Sequence, residues 1–252
     1  MARSWDRAIV VGASSGIGEA VARQLAGEGT QVALVARRVD RLKRICAEIN
    51  EAQGAVLATP FAHDVAKTEG TAALFQEITT RLGGLDLVVY AAGIMPPREF
   101  GEFPTQSDLE VIKTNFAGAV AWLNEAATRF ARARSGTILG VSSVAGDRGR
   151  TKNPIYHATK AALDTYLESL RARLARLGVT VVTAKPGFVR TPMMESEPLP
   201  GMIPVLEPAD AASQILRGAA SHKRVVYVPW WWRPVMWAIR TIPDPIFERL
   251  KV

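Results

Sequence analysis

Tyr156 and Lys160 lie four positions apart in the stretch SSVAGDRGRTKNPIYHATKAAL, residues 142–163. On a helix that spacing projects both side chains from one face. A tyrosine hydroxyl is a poor acid or base at its ordinary pKa of about 10. A lysine ammonium held beside it stabilises the phenolate and is expected to bring that pKa toward neutrality. Ser143 precedes Tyr156 by thirteen residues, at the end of an apolar run, where its hydroxyl can reach a substrate carbonyl. Ser142 is the alternative serine, and the thirteen-residue spacing favours Ser143. Each residue also has an ordinary reading, Tyr156 as core and Lys160 as a solvated charge. Only as a set do they point to carbonyl–alcohol chemistry.

A second motif supplies the missing reactant. GASSGIG (12–18) follows the β-branched run AIVVG and opens a helical segment. Gly12 permits a tight turn, Gly16 lets backbone approach a phosphate, and Gly18 lets helix and strand pack closely. A pyrophosphate then sits on free N–H groups at the helix N-terminus. The next strand region reads VALVARRVDRL. Ala36 stands where NAD enzymes carry an acid for the ribose 2′-hydroxyl, and Arg37 and Arg38 follow. A guanidinium there binds a 2′-phosphate, so NADP(H) is expected over NAD(H). Arg37 is the better candidate; Arg38 reads equally well as a solvated charge at a helix start.

The elements that must position these residues follow from the apolar pattern. Short runs at 8–12, 31–37, 55–60, 85–93, 136–143, 179–187 and 225–229 read as strands. Segments with helical spacing lie between them at 17–28, 39–53, 69–82, 107–133, 154–177 and 208–220. Near-continuous apolar strands alternating with amphipathic helices predict an α/β, doubly wound Rossmann fold. The expected sheet has seven parallel strands with helices on both faces. Residues 1–228 form one domain in this reading, and 229–252 an aromatic, basic extension of it. Residues 188–207, with four prolines, read as a long loop.

GASSGIG, the Ser143…Tyr156-x-x-x-Lys160 set and PGFVRT (186–191) together resemble the short-chain dehydrogenase/reductase family over residues 7–228. The resemblance implies an NAD(P)(H)-dependent oxidoreductase. In it Tyr156 exchanges a proton with the carbonyl oxygen, Ser143 orients that oxygen, and Lys160 tunes Tyr156 and holds the nicotinamide ribose. Asn115, in KTNFAGAV, matches the fourth catalytic residue and would hold a water behind Lys160. The implied cofactor contacts are Gly12, Ser14, Ser15, Gly16, Ile17, Gly18, Asp64, Val65, Ala92, Gly93, Pro186, Gly187, Val189 and Thr191, with Arg37, Arg38, Tyr156 and Lys160. Asp64 matches the adenine-contacting acid. One departure stands out: Ala91-Ala92-Gly93 replaces the family's Asn-Ala-Gly, which bears on sheet bracing more than on activity.

The substrate side is less defined. Arg148, Arg150 and Lys152 border the expected substrate position. They read either as a solvated basic loop or as contacts to a phosphate-bearing substrate. His157 is expected to face away from the site, and His63 and His222 to lie on the surface. The chain ends in PWWWRPVMWAIRTIPDPIFERLKV, where four of its six tryptophans fall within residues 230–237. Prolines limit this tail to short helices. Trp with Arg suits a membrane–water interface, and equally packing on the body or a subunit contact. The loop and tail together resemble the decaprenylphosphoryl-2-keto-pentose reductases, which would make the substrate a lipid-linked keto-sugar. A soluble ketone or alcohol, or a non-catalytic nucleotide sensor, are the competing readings.

Composition narrows the rest. The chain has 252 residues, 48% of them hydrophobic, and a net charge of +7. A single cysteine, Cys46, fits a reducing compartment. The N-terminus runs directly into the glycine motif, which leaves no room for a signal peptide, so a cytoplasmic protein is expected, peripheral at a membrane if the tail meets lipid. Scattered basic residues without a recognition motif argue against nucleic acid. No metal-ligand spacing occurs. A homodimer or homotetramer is expected from the resemblance.

Overall fold

A computed structural model describes residues 4–194, 201 and 203–250. In chain order the elements are β1 (Arg7–Val11), α1 (Gly16–Gly27), β2 (Gln31–Ala36), α2 (Val39–Gln53), β3 (Ala58–Ala62), α3 (Thr71–Leu82) and β4 (Leu87–Tyr90). Then come α4 (Thr105–Ile112), a π-helical turn (Lys113–Ala117), α5 (Gly118–Ala133), β5 (Gly136–Val141), α6 (Pro154–Leu174) and β6 (Val179–Pro186). The last are α7 (Pro208–Ala220), β7 (Val225–Val228), α8 (Trp232–Thr241) and α9 (Asp244–Phe247).

The seven strands form one parallel sheet in the order β3-β2-β1-β4-β5-β6-β7. Successive residues of β1 point to opposite faces. Ala8 and Val10 join the core beneath α1, α2 and α7; Ile9 and Val11 join the one beneath α3, α5 and α6. This is the doubly wound α/β fold the alternating pattern predicts. The strand order reverses between β1 and β4. Ligands of such sheets bind beyond the strand ends at this switch point.

Three of the boundaries that differ from expectation have a visible cause or consequence. β3 starts at Ala58 rather than 55 because the Asn50 side chain binds the preceding backbone: its Oδ1 accepts from Leu57 N at 2.9 Å and Ala58 N at 2.8 Å. The helix expected over 107–133 is interrupted by the π-helical turn. There the buried Tyr90 hydroxyl donates to Thr114 O at 2.6 Å, and Gly118 packs so close that a Cβ would lie 2.7 Å from that hydroxyl. β4 ends at Tyr90, which frees 91–96 to line a cavity. Within the expected loop 188–207, Val189 bridges Leu206; residues 195–200 and 202 lie outside the described residues.

The tail packs on the body. Trp232 and Met236 are buried against Val144, with Phe188, Tyr227, Trp231 and Ile239 around them. Pro234 sits in the first turn of α8, where its missing N–H costs nothing.

Candidate active site

A cavity of about 830 Å³ opens at the switch point. The glycine loop walls one end of it. Gly12 has φ +89°, and a Cβ there would lie 2.4 Å from Ala92 N. Gly18 meets Gly12 O, with a Cβ only 2.3 Å away. Both positions therefore exclude any side chain, for conformation in one case and contact in both. Ser15, the residue before α1, makes no side-chain cap, so the first N–H groups of α1 are left for another acceptor. Such a cradle fits a dinucleotide pyrophosphate.

Arg37 and Arg38 both line this end, beside Ala36. Their contacts differ. Arg38, not Arg37, reaches the glycine loop: its Nη2 lies 2.9 Å from both Ser14 Oγ and Ser15 Oγ. Burial lowers the Arg38 pKa, and the like charges of Arg41 and Arg37 add to the effect. Three guanidiniums converge here, and Glu19 is their nearest compensation, 3.8 Å from Arg41. That imbalance favours an added anion.

Deeper in, α6 carries Tyr156 and Lys160 on one buried face. Lys160 Nζ donates to Val141 O at 3.0 Å and lies 5.6 Å from the Tyr156 ring centroid. Tyr156 shares a hydrogen bond with Ser143. Ser143 Oγ in turn accepts from Ala145 N at 3.1 Å. Ser142 also borders the cavity, but its hydroxyl donates to Lys160 O at 3.3 Å.

Burial pushes Tyr156 up to about 12, against the Ser143 hydrogen bond that pulls it down. Burial brings Lys160 down to about 8, against the opposing pull of Asp164. Desolvation thus outweighs any stabilisation of the phenolate by the lysine.

Of the expected cofactor contacts, Gly12, Ser14, Ser15, Gly16, Ile17, Gly18, Val65, Ala92, Gly93, Pro186, Gly187, Val189 and Thr191 all line the cavity. Asp64 does not; its carboxylate accepts from Ala66 N at 3.1 Å, while its neighbours His63 and Val65 face inward. His63 is therefore no simple surface residue, and its ring also meets Trp122 edge-on. Asn115 is fully buried behind the wall. Its Oδ1 accepts from Ile94 N at 2.8 Å and its Nδ2 donates to Ile94 O at 3.0 Å. A Cβ on Gly93 would lie 3.5 Å from Asn115 Oδ1 and 3.7 Å from Lys160 Nζ, so the two face each other across that glycine.

The substrate end splits the two arginines. Arg150 lines the cavity; Arg148 does not. Arg148 Nη1 donates to Ile239 O at 2.6 Å and Ile242 O at 2.7 Å, and Nη2 pairs with Asp244 at 2.8 Å. Its guanidinium also stacks 3.8 Å over the Phe247 ring. Arg148 is thus a clamp on the tail, and its expected substrate role is withdrawn. His157, expected to face away, lines the cavity instead.

One cluster escaped the sequence reading. Lys185 Nζ lies 2.5 Å from Asp147 Oδ1 and 2.8 Å from Asp164 Oδ2, and Tyr227 OH donates to Asp147 Oδ2 at 3.0 Å. Burial would lower the Lys185 pKa, but the two carboxylates outweigh it and raise it. The cluster ties the loop after Ser143 to β6, β7 and α6, one helical turn beyond Lys160. A lysine inside the otherwise apolar strand VTVVTAKPG was the available signal, since a charge buried there requires partners.

The fold, glycine cradle and Ser–Tyr–Lys set define a class. Residues 6–199 match the family described as short chain dehydrogenase. The chain belongs to the short-chain dehydrogenase/reductase family, and it is an oxidoreductase of that family. It is 34% identical over 246 residues to an uncharacterized oxidoreductase of Myxococcus xanthus (strain DK1622), covering 97% of this chain and 96% of the relative. A short-chain dehydrogenase from Sphingobium yanoikuyae in complex with NADPH superposes with a TM-score of 0.81 at 22% identity, covering 94% and 96% of the two chains. A variant of actinorhodin polyketide ketoreductase with NADPH does so at 0.79 and 26%, covering 90% and 97%.

Proposed function

We propose that this protein is an NADPH-dependent carbonyl reductase with Tyr156 as its proton donor. The observation that carries this reading is geometric: Tyr156 and Lys160 share one buried face of α6, with Lys160 Nζ 5.6 Å from the Tyr156 ring centroid, in the cavity that the glycine loop walls. Reduced nicotinamide supplies a hydride to the carbonyl carbon in such a reaction. Ser143 hydrogen-bonds the carbonyl oxygen and fixes it beside Tyr156. The Tyr156 hydroxyl gives its proton to that oxygen as the alcohol forms, and the Lys160 ammonium then returns a proton to the phenolate. Gly16 and the uncapped N–H groups at the start of α1 would hold the pyrophosphate, and Arg38 with Arg37 the 2′-phosphate. The NADPH complex of the actinorhodin ketoreductase, at 26% identity, supports the same cofactor.

The lipid-linked keto-sugar reading drew on Arg148 and Arg150 together. With Arg148 committed to the tail, only Arg150 still supports an anionic substrate. The outer face of α8 supports a peripheral contact with an anionic membrane: Trp230 and Trp237 are about three-quarters exposed, Arg233 and Arg240 flank them, and no acidic residue occurs between Asp210 and Asp244. Among the described residues no helix is long and apolar enough to cross a membrane.

NADPH and NADH consumption with a panel of ketones tests the main reading. Ketone-dependent oxidation of NADPH, faster than that of NADH, is the expected result; cofactor binding without turnover of any carbonyl would end it. Cosedimentation with vesicles of phosphatidylcholine, with and without phosphatidylglycerol, tests the α8 contact. Binding only to the anionic vesicles, lost in Arg233→Ser/Trp237→Ser, is expected.

A further inference from the structure

Arg148 and Arg150 are two positions apart and have opposite surroundings. Arg148 is saturated by two carbonyls, a carboxylate and a ring. Arg150 has none of these. Its Nε is buried without a hydrogen-bond partner, and Nη2 meets the Met236 sulfur at 3.6 Å. Among the described residues no carboxylate pairs with it; the ion pairs of this loop go to Arg148 and Lys185. Burial pulls its pKa down, with Asp147 as the opposing influence. A guanidinium nevertheless stays charged in a protein. A partly buried cation without a counterion is unfavourable unless something else supplies the anion. Arg150 lines the same cavity as Tyr156. It stands in the loop after Ser143, whereas the cofactor's phosphates are assigned to the glycine loop and Arg38.

Two neighbours define the rest of the ligand. Asn153 is only 5% exposed and adopts a left-handed conformation, φ +52°, at the start of α6. Its Nδ2 donates to Pro96 O at 2.8 Å, which leaves Oδ1 buried without a partner. His157 Nδ1 lies 3.0 Å from Asn153 O. A carbonyl only accepts, so Nδ1 carries the hydrogen and Nε2 of the neutral ring is an acceptor. Burial and the nearby Arg150 both favour the neutral ring, against the Asn153 carbonyl. Both residues line the cavity. One cationic fork and two acceptors therefore share the cavity wall with Tyr156.

We propose that the substrate is a hydroxyl-bearing ketone or aldehyde that also carries a phosphate or carboxylate, held bidentately by Arg150. The hydroxyls pair with Asn153 Oδ1 and His157 Nε2, which a plain ketone would leave unsatisfied. This rests on the reductase reading and names the substrate class for it.

Matched pairs of carbonyl compounds test it with NADPH: dihydroxyacetone against dihydroxyacetone phosphate, and ethyl acetoacetate against acetoacetate. The charged member of at least one pair is expected to have the higher kcat/KM, by about tenfold or more. In Arg150→Met that ratio falls by about 10- to 100-fold, mostly through KM. The phosphate and carboxylate arms separate the two anion chemistries. Equal kcat/KM within both pairs, or a ratio unchanged in Arg150→Met, overturns the proposal. NADPH affinity of the variant verifies that it is folded. If no carbonyl is consumed, the reductase reading fails, and calorimetry of inorganic phosphate with NADPH-saturated protein still reports on the subsite. Saturable phosphate binding that disappears in Arg150→Met supports the anion site; its absence overturns that as well.

Discussion

At one end of the cavity the contacts come from backbone: Gly12, Gly16 and Gly18 sit within seven residues, and the start of α1 has no side-chain cap. At the other end they come from side chains: Arg150 touches Met236, and Arg148 reaches carbonyls more than ninety residues away. A backbone cradle is fixed by local conformation and tolerates almost no change. A side-chain wall depends on how distant segments happen to meet, and tolerates substitution where contacts are open. The catalytic pair lies between the two and answers to both.

The sharpest way to break this division is at its centre. Tyr156→Phe is expected to lower kcat by about 10²- to 10⁴-fold, as for loss of a general acid, while NADPH affinity stays at the wild-type value. Loss of NADPH binding in that variant would mean the two ends are not separable. Next comes the cradle itself. Gly12→Ala meets both a positive φ and a backbone contact of 2.4 Å, and should cost about 2–4 kcal/mol in urea unfolding. Gly149→Ala, in the substrate loop with nothing within 4 Å of its Cβ, should stay within about 0.5 kcal/mol. Similar losses at both would contradict the contrast.

Smaller effects sharpen the comparison. Arg38→Asp should shift the NADPH-to-NADH affinity ratio by about 10- to 100-fold, and more than Arg37→Asp, because only Arg38 reaches Ser14 and Ser15. Reduction should slow as pH rises through about 8, where Lys160 loses the proton that restores Tyr156, while Tyr156 itself stays protonated until about 12. Alcohol oxidation runs the same steps backwards, needs a neutral Lys160 to take the Tyr156 proton, and should change in the opposite direction. A pH–rate profile in each direction distinguishes these signs. Arg148→Ala should cost about 1–2 kcal/mol, measured by urea unfolding, since two buried-side carbonyl bonds and the Phe247 stack are lost while Asp244 is largely solvated.

The cofactor end and the sheet were legible in the residues because their signals are local. Glycines before a helix, short near-continuous apolar runs, and Tyr156 four before Lys160 each constrain the fold within a few positions. Arg148 and Arg150 look alike in GDRGR, and nothing local says that one turns to Ile239 and Ile242 while the other faces the cavity. The same holds for Arg37 and Arg38, which the start of α2 orients differently. The break in the 107–133 helix depended on the Tyr90 hydroxyl, more than twenty residues earlier. The pull of burial on the Tyr156 pKa is set by the whole packed body, which spacing alone does not encode.

Transfer of label tests the central claim most directly. NADPH carrying deuterium at its transferable C4 position would be incubated with the protein and a ketone it consumes, and the product examined by NMR. The account predicts deuterium on the carbinol carbon in wild-type protein and no labelled alcohol with Tyr156→Phe. Deuterium remaining on the cofactor, or labelled alcohol formed equally well by Tyr156→Phe, would contradict it.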